Sequence, residues 1–127
     1  NDAAEIRLLR AVIAADAGQV VDPDGLIAQF EGGLIQAASW TLHEAVQFDS
    51  SGVTSRDWDS YPILRFDNVP VVETILLDHP EGKFLGAGEA TAGPTAAAIA
   101  NAVKQATGLR LRRLPFTPDA IRAAALQ

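Results

Sequence analysis

Gly86-Ala87-Gly88-Glu89-Ala90-Thr91-Ala92-Gly93 runs straight into Pro94-Thr95-Ala96-Ala97-Ala98-Ile99-Ala100-Asn101-Ala102-Val103. Small side chains around one carboxylate make a loop. Pro94 has its φ preset for a first helical turn and Gly108 supplies a C-terminal stop, so a helix is expected from Pro94 to Thr107. On the N-terminal side, Val71 to Leu77 is β-branched and lies between Pro70 and His79-Pro80-Glu81-Gly82, which predicts a strand. Farther out, Ile6 to Ala15 is rich in Ile, Leu, Val and Ala with no clean period of two or of 3.6. That pattern predicts a strand buried on both faces.

Between these segments, Val20-Val21-Asp22-Pro23-Asp24-Gly25 is turn chemistry in which either aspartate can cap the helix that follows. From Leu26 to Glu44 the positions Leu26, Ile27, Phe30, Leu34, Ile35, Ala38, Trp40 and Leu42 recur at three- and four-residue steps, predicting a helix. Gly32-Gly33 costs that helix roughly 1 kcal/mol per glycine, so the pair is expected to admit another backbone or a ligand at close range. Ala45 to Phe48 with Asp49-Ser50-Ser51-Gly52 predicts a short strand and a tight turn leading to a partner. Ser55 to Pro62 predicts a packed loop, Arg110 to Leu114 a strand, and Thr117-Pro118-Asp119 the opening of a last short helix. The sum is a single α+β domain over residues 1–127, a mixed sheet with packed helices, without repeat or internal linker.

Composition supports a globular chain, with 48% hydrophobic and 20% charged residues. With no cysteine, thiolate metal sites, disulfides and a cysteine nucleophile are excluded from this stretch. No segment reaches the roughly 18 to 20 apolar residues of a membrane span, and the start at Asn1, without an initiating methionine, is expected of a fragment. A net charge of −6 argues against nucleic acid as a partner. The charge is uneven: residues 1–103 carry 5 basic and 15 acidic side chains, residues 104–127 carry 5 basic and 1 acidic. Arg110-Leu111-Arg112-Arg113 is therefore read as a solvated face or an ion-pairing contact rather than a phosphate clamp.

The chemistry concentrates in the small-residue loop. Gly86 and Gly88 fit the first two positions of a dinucleotide fingerprint, but Thr91 stands at the third and no ribose-binding acid follows at the required distance. No Gly-Lys-Ser/Thr follows either, which excludes a phosphate loop of the Walker type. Glu89 remains, near a helix N-terminus. It serves either as a dipole partner worth roughly 0.3 to 1 kcal/mol or as a general base beside a substrate that this sequence does not reveal. His43 and His79 lack a second ligand at metal spacing, so no metal ligand is assigned. Asp57 and Asp59 are read as solvated loop carboxylates rather than a glycosidase pair, and Trp40, Trp58 and Tyr61 as core or loop-packing aromatics.

Asp22-Pro23-Asp24-Gly25, Gln29-Phe30-Glu31-Gly32-Gly33-Leu34-Ile35-Gln36, Tyr61-Pro62-Ile63-Leu64-Arg65-Phe66, and Gly86-Ala87-Gly88-Glu89 with the helix after it occur in this order. Together they resemble the C-terminal end of the molybdopterin-binding subunit of the xanthine dehydrogenase and aldehyde oxidase family, and within it the nicotinate and isoquinoline dehydrogenase branch. The resemblance implies an α+β fold and a molybdenum hydroxylase that puts a water-derived oxygen on an N-heteroaromatic ring or an aldehyde. It implies that Glu89 is the general base taking the proton from that oxygen, that Gln29 contacts the pterin, and that Gly86, Ala87 and Gly88 form the backbone loop beside it. The cofactor implied is a molybdenum–pterin in its cytosine dinucleotide form, held by the complete protein and not by this chain alone. The implied partners are the remainder of the subunit, an iron–sulfur electron-transfer subunit or domain, and a small aromatic or aldehyde substrate. The chain by itself is expected to be a catalytically inert fragment. The competing expectation is a non-catalytic α+β interaction or assembly domain in which Glu89 only caps a helix.

Overall fold

The computed structural model describes residues 4–126. In chain order its elements are β1 (Arg10–Ala15), α1 (Pro23–Leu42), β2 (Phe48–Asp49), β3 (Gly52–Val53), β4 (Val71–Leu76), α2 (Ala92–Thr107) and α3 (Pro118–Ala125), with one 3-10 turn at Phe66–Asn68. Helices and strands together make the expected α+β domain. Parallel and antiparallel pairing both occur, in separate ladders: β1 runs parallel to β4 from Arg10↔Val71 to Ala15↔Leu76, and β2 pairs antiparallel with β3.

α1 is the element on which the rest is assembled. It begins where turn chemistry placed it, with Asp22 as the cap: the carboxylate Oδ1 accepts the Gly25 N–H at 3.0 Å and Pro23 occupies the first turn. Asp22→Ala is expected to cost about 0.5–2 kcal/mol of helix stability while Asp22→Asn costs little; amide exchange of the first turn of α1 reads the difference. The N-terminal half of α1 turns Phe30 and Leu34 onto Ile13 of β1, with Val72 and Leu76 of β4 packed around them. Its C-terminal half turns Ala38 and Leu42 onto Ile99 and Val103 of α2. Ala37 and Ala38 are almost wholly buried, and Thr41 satisfies its hydroxyl on the Ala37 carbonyl at 2.7 Å. Small side chains there let neighbouring backbone pack close to the helix.

Three sequence expectations change. β1 starts at Arg10 rather than Ile6 and is buried on one face only, with Ile13 inside and Val12 50% exposed. Among the described residues one neighbouring strand and one helix layer cover it, which leaves its other face open. Ile6 and Leu8 pack instead against the α1–α2 core. Arg110 to Leu114 forms no strand. Leu111 and Phe116 are buried against α1 and α2, and the Phe116 N–H donates to the Thr41 carbonyl at 2.7 Å, satisfying an acceptor in the last turn of α1. The segment Ala45 to Phe48 enters a strand only at Phe48, in a hairpin of two residues per strand.

The other expected elements are present, with α1 running Pro23–Leu42 rather than Leu26 to Glu44 and α2 starting at Ala92 rather than Pro94. β4 covers Val71–Leu76, α2 ends at Thr107 with Gly108 at φ +79, and Thr117 caps α3 by accepting the Ala120 N–H. The loop 55–62 is anchored by Tyr61, whose hydroxyl donates to Glu44 at 2.8 Å, whereas Trp58 stays exposed.

Candidate functional site

The loop after β4 meets the second turn of α1. Gln29 Nε2 donates to the Gly88 carbonyl at 2.7 Å, across 59 residues of sequence. On the other side of Glu89, Thr91 Oγ1 donates to the carbonyl of Phe30 at 2.9 Å. These contacts, made by consecutive residues of α1, bracket Glu89.

Gly33 explains why the second contact is possible. A Cβ at Gly33 would stand 2.5 Å from Thr91 Oγ1, so only glycine lets that hydroxyl reach past the helix surface. The close approach expected of the glycine pair is thus made by a threonine side chain at Gly33, whereas a Cβ at Gly32 would meet nothing within 4 Å.

Glu89 is exposed, and among the described residues its carboxylate has no hydrogen-bonding partner. Its backbone carbonyl accepts the Ala92 N–H at 3.1 Å, but the N-cap of α2 is Thr91, with no side chain capping the first amides. The carboxylate therefore is not a helix cap here. Gly86 and Gly88 have open space where a Cβ would stand, which leaves the loop backbone accessible.

Two clefts flank this loop. One of about 320 Å³ is lined by Gln19, Asp22, Gln29, Leu85, Ala87 and Gly88 among others. The second, of about 450 Å³, is apolar and lies between β1 and α2, reaching Ala90, Thr91 and Thr95. Gln29, Ala87 and Gly88 thus share one cleft, and Glu89 is the next residue along the chain, in the lining of neither cleft.

The other candidate residues fall elsewhere. His79 Nδ1 lies 3.1 Å from Asp16 Oδ2, and no group of acidic, histidine or cysteine side chains among the described residues has metal-binding geometry. Asp57 accepts the backbone and hydroxyl of Ser60 in a local turn, and those donors hold its carboxyl below the usual carboxylate range. It forms no pair with Asp59. Arg110 donates to Asn101 at 2.8 Å, and Arg112 and Arg113 are exposed. Asp16 and Gly18, at the turn after β1, escape sequence reasoning. The Asp-x-Gly spacing with glycine before Gln19 is the available signal, and it reads as an ordinary turn.

The profile of the molybdopterin cofactor-binding domain family matches residues 1–70. A nicotinate dehydrogenase subunit of Pseudomonas putida is 43% identical over 120 residues, which is 94% of this chain and 10% of that protein. The β subunit of isoquinoline 1-oxidoreductase of Brevundimonas diminuta is 36% identical over 109 residues, 86% of this chain and 14% of that protein. The fold matches the crystal structure of quinoline 2-oxidoreductase from Pseudomonas putida 86 with a TM-score of 0.81 at 23% identity, over 95% of this chain and 16% of that one. The chain thus spans between a tenth and a sixth of the length of these relatives. With the family profile, the identity and the order of elements in agreement, the chain belongs to the molybdopterin-binding subunits of the xanthine dehydrogenase family.

Proposed function

We propose that this chain is the C-terminal part of the molybdopterin-binding subunit of a molybdenum hydroxylase acting on an N-heteroaromatic ring or an aldehyde, with Glu89 as its general base. The observation that carries the reading is the bond from Gln29 to Gly88. It draws α1 and the small-residue loop into one cleft, and the Glu89 carboxylate, next along the chain, has no partner among the described residues.

The residues present suit a pterin. Such a group has a polar edge rich in donors and acceptors, and the cleft offers the backbone at Gly88, which no side chain covers, together with the amide of Gln29, while Gly86, equally uncovered, lies beside its lining. Nε2 of Gln29 is engaged by Gly88, so its oxygen is left to accept from the cofactor. When bound, the molybdenum cofactor, in its cytosine dinucleotide form, supplies the two-electron acceptor for hydroxylation with water as oxygen source. Gln29, Gly86, Ala87 and Gly88 hold its pterin edge. Glu89 removes the proton from the water-derived oxygen at a carboxylate oxygen, for which a carboxylate with no donor among the described residues is ready as it stands.

The complete protein supplies what this chain lacks. The open face of the β1–β4 pair, with Val12, Val71 and Ile75 exposed, suits the remainder of the subunit, and electrons leave to an iron–sulfur subunit or domain. Native polypeptide captured from its source cells by an antibody to this chain is expected to carry about one molybdenum per chain, by metal analysis of the captured material. A native chain with none overturns the proposal. The 127-residue polypeptide alone is expected to show no molybdenum-dependent dye reduction.

A further inference from the structure

Two turns lie side by side at one end of the parallel strands. Residues 16–19 follow β1, and residues 79–85 follow β4. Asp16 ties both: its Oδ1 accepts the Gly18 N–H at 2.8 Å and its Oδ2 lies 3.1 Å from His79 Nδ1. A carboxylate only accepts, so His79 carries its proton on Nδ1. Two backbone bonds run between the turns, from Gln19 N–H to the Gly82 carbonyl at 3.3 Å and from Leu85 N–H to the Ala17 carbonyl at 3.1 Å.

Gly18 sits where the two turns touch. Its φ is +67, and a Cβ there would stand 1.9 Å from the Lys83 carbonyl oxygen and 2.9 Å from its carbon. A backbone atom cannot swing aside as a long side chain does, so any other residue at 18 pushes residues 82–85 away. Gly82 completes the fit, since a Cβ on it would lie 3.0 Å from the Gly18 Cα and 3.1 Å from the His79 ring. Leu85, bonded to Ala17, is the residue immediately before Gly86.

We propose that Gly18, with Asp16 and His79, positions the candidate site: the turn after β1 is the surface on which residues 79–85 are laid, and it fixes where Gly86 to Glu89 emerges. The inference rests on the reading of Glu89 as base, and it assigns a role to three residues that line neither cleft. The Asp16 carboxyl lies below the usual carboxylate range, first because of the Gly18 N–H and then because of His79, in keeping with a carboxylate held by both.

The test compares Gly18→Ala with Gly108→Ala in the complete subunit. Gly108 also has a positive φ, +79, but a Cβ there meets nothing within 4 Å, so it carries the backbone strain without the collision. Gly18→Ala is expected to speed amide exchange at residues 84–89 and to lower turnover per bound molybdenum by roughly 10- to 10²-fold, the scale of a misplaced catalytic group. Gly108→Ala is expected to do neither. Should Gly18→Ala leave exchange at 84–89 unchanged, or speed it without lowering turnover per molybdenum, the proposal is overturned. In a second comparison, His79→Asn keeps an amide donor near Nδ1 and is expected to retain turnover that His79→Ala loses; equal turnover in the two removes His79 from the role. A wild-type subunit without molybdenum would fail the cofactor reading alone, and exchange at 84–89 would still decide the placement of the loop.

Discussion

Glu89→Gln in the complete subunit is expected to lower turnover by about 10²- to 10⁴-fold, the contribution typical of a general base, with molybdenum content unchanged. The size of the effect follows from how little else the substitution alters. Glutamine has the shape of glutamate, and the carboxylate accepts no hydrogen bond from the described residues, so no internal contact is lost. The helix-cap alternative predicts a lower melting temperature with normal activity. The geometry opposes it, because the first amides of α2 receive no side-chain cap from Glu89. Steady-state turnover per molybdenum, read beside thermal unfolding, separates the two: a normal rate with a lowered melting temperature would return Glu89 to a structural role and leave the assembly-domain reading standing.

The largest effect on stability is expected at Phe30→Ala. Phe30 is 2% exposed, at the centre of the cluster joining α1 to the β1–β4 pair. Removing a buried phenyl ring costs about 3–5 kcal/mol in lost transfer energy and cavity, a large part of the roughly 5–15 kcal/mol that holds a domain together. Its carbonyl also receives the Thr91 hydroxyl, so slackening here reaches the start of α2. In the complete subunit, amide exchange through residues 92–107 is expected to accelerate by about 10²-fold or more, with Phe30→Leu in between. Unchanged exchange in Phe30→Ala would mean that this cluster does not hold α2 in place.

Much of the fold is legible in the residues alone. α1, β4, α2 and α3 lie where periodicity, β-branching, Gly108 and Thr117 put them, because each is dictated by residues within a few positions of itself. The misreadings depend on distant partners. Ile6 to Ala15 has the composition of a strand covered on both sides, but the number of covering layers is set by what packs there, not by the strand itself. Arg110 to Leu114 has strand-like residues, yet the segment it leads into bonds to the end of α1, and nothing local announces that. At the site, the special composition of Gly86 to Glu89 is visible at once, and Gln29 comes from family resemblance. The bond between them is invisible, since no short-range pattern encodes a contact 59 residues apart.

The two bonds that bracket Glu89 have a consequence for how such a chain can vary. Both end on Gln29 and Phe30, one stretch of a single helix, so the carboxylate is referenced to α1 and not to the segment between α1 and β4. Residues 43–70, with the β2–β3 hairpin among them, contribute nothing to either bond. Lengthening a surface loop costs only a few tenths of a kcal/mol in closure entropy until its length doubles. That segment is free to grow, shrink or acquire new contacts while Glu89 keeps its place on α1, and it is where a common frame can be fitted to different neighbours.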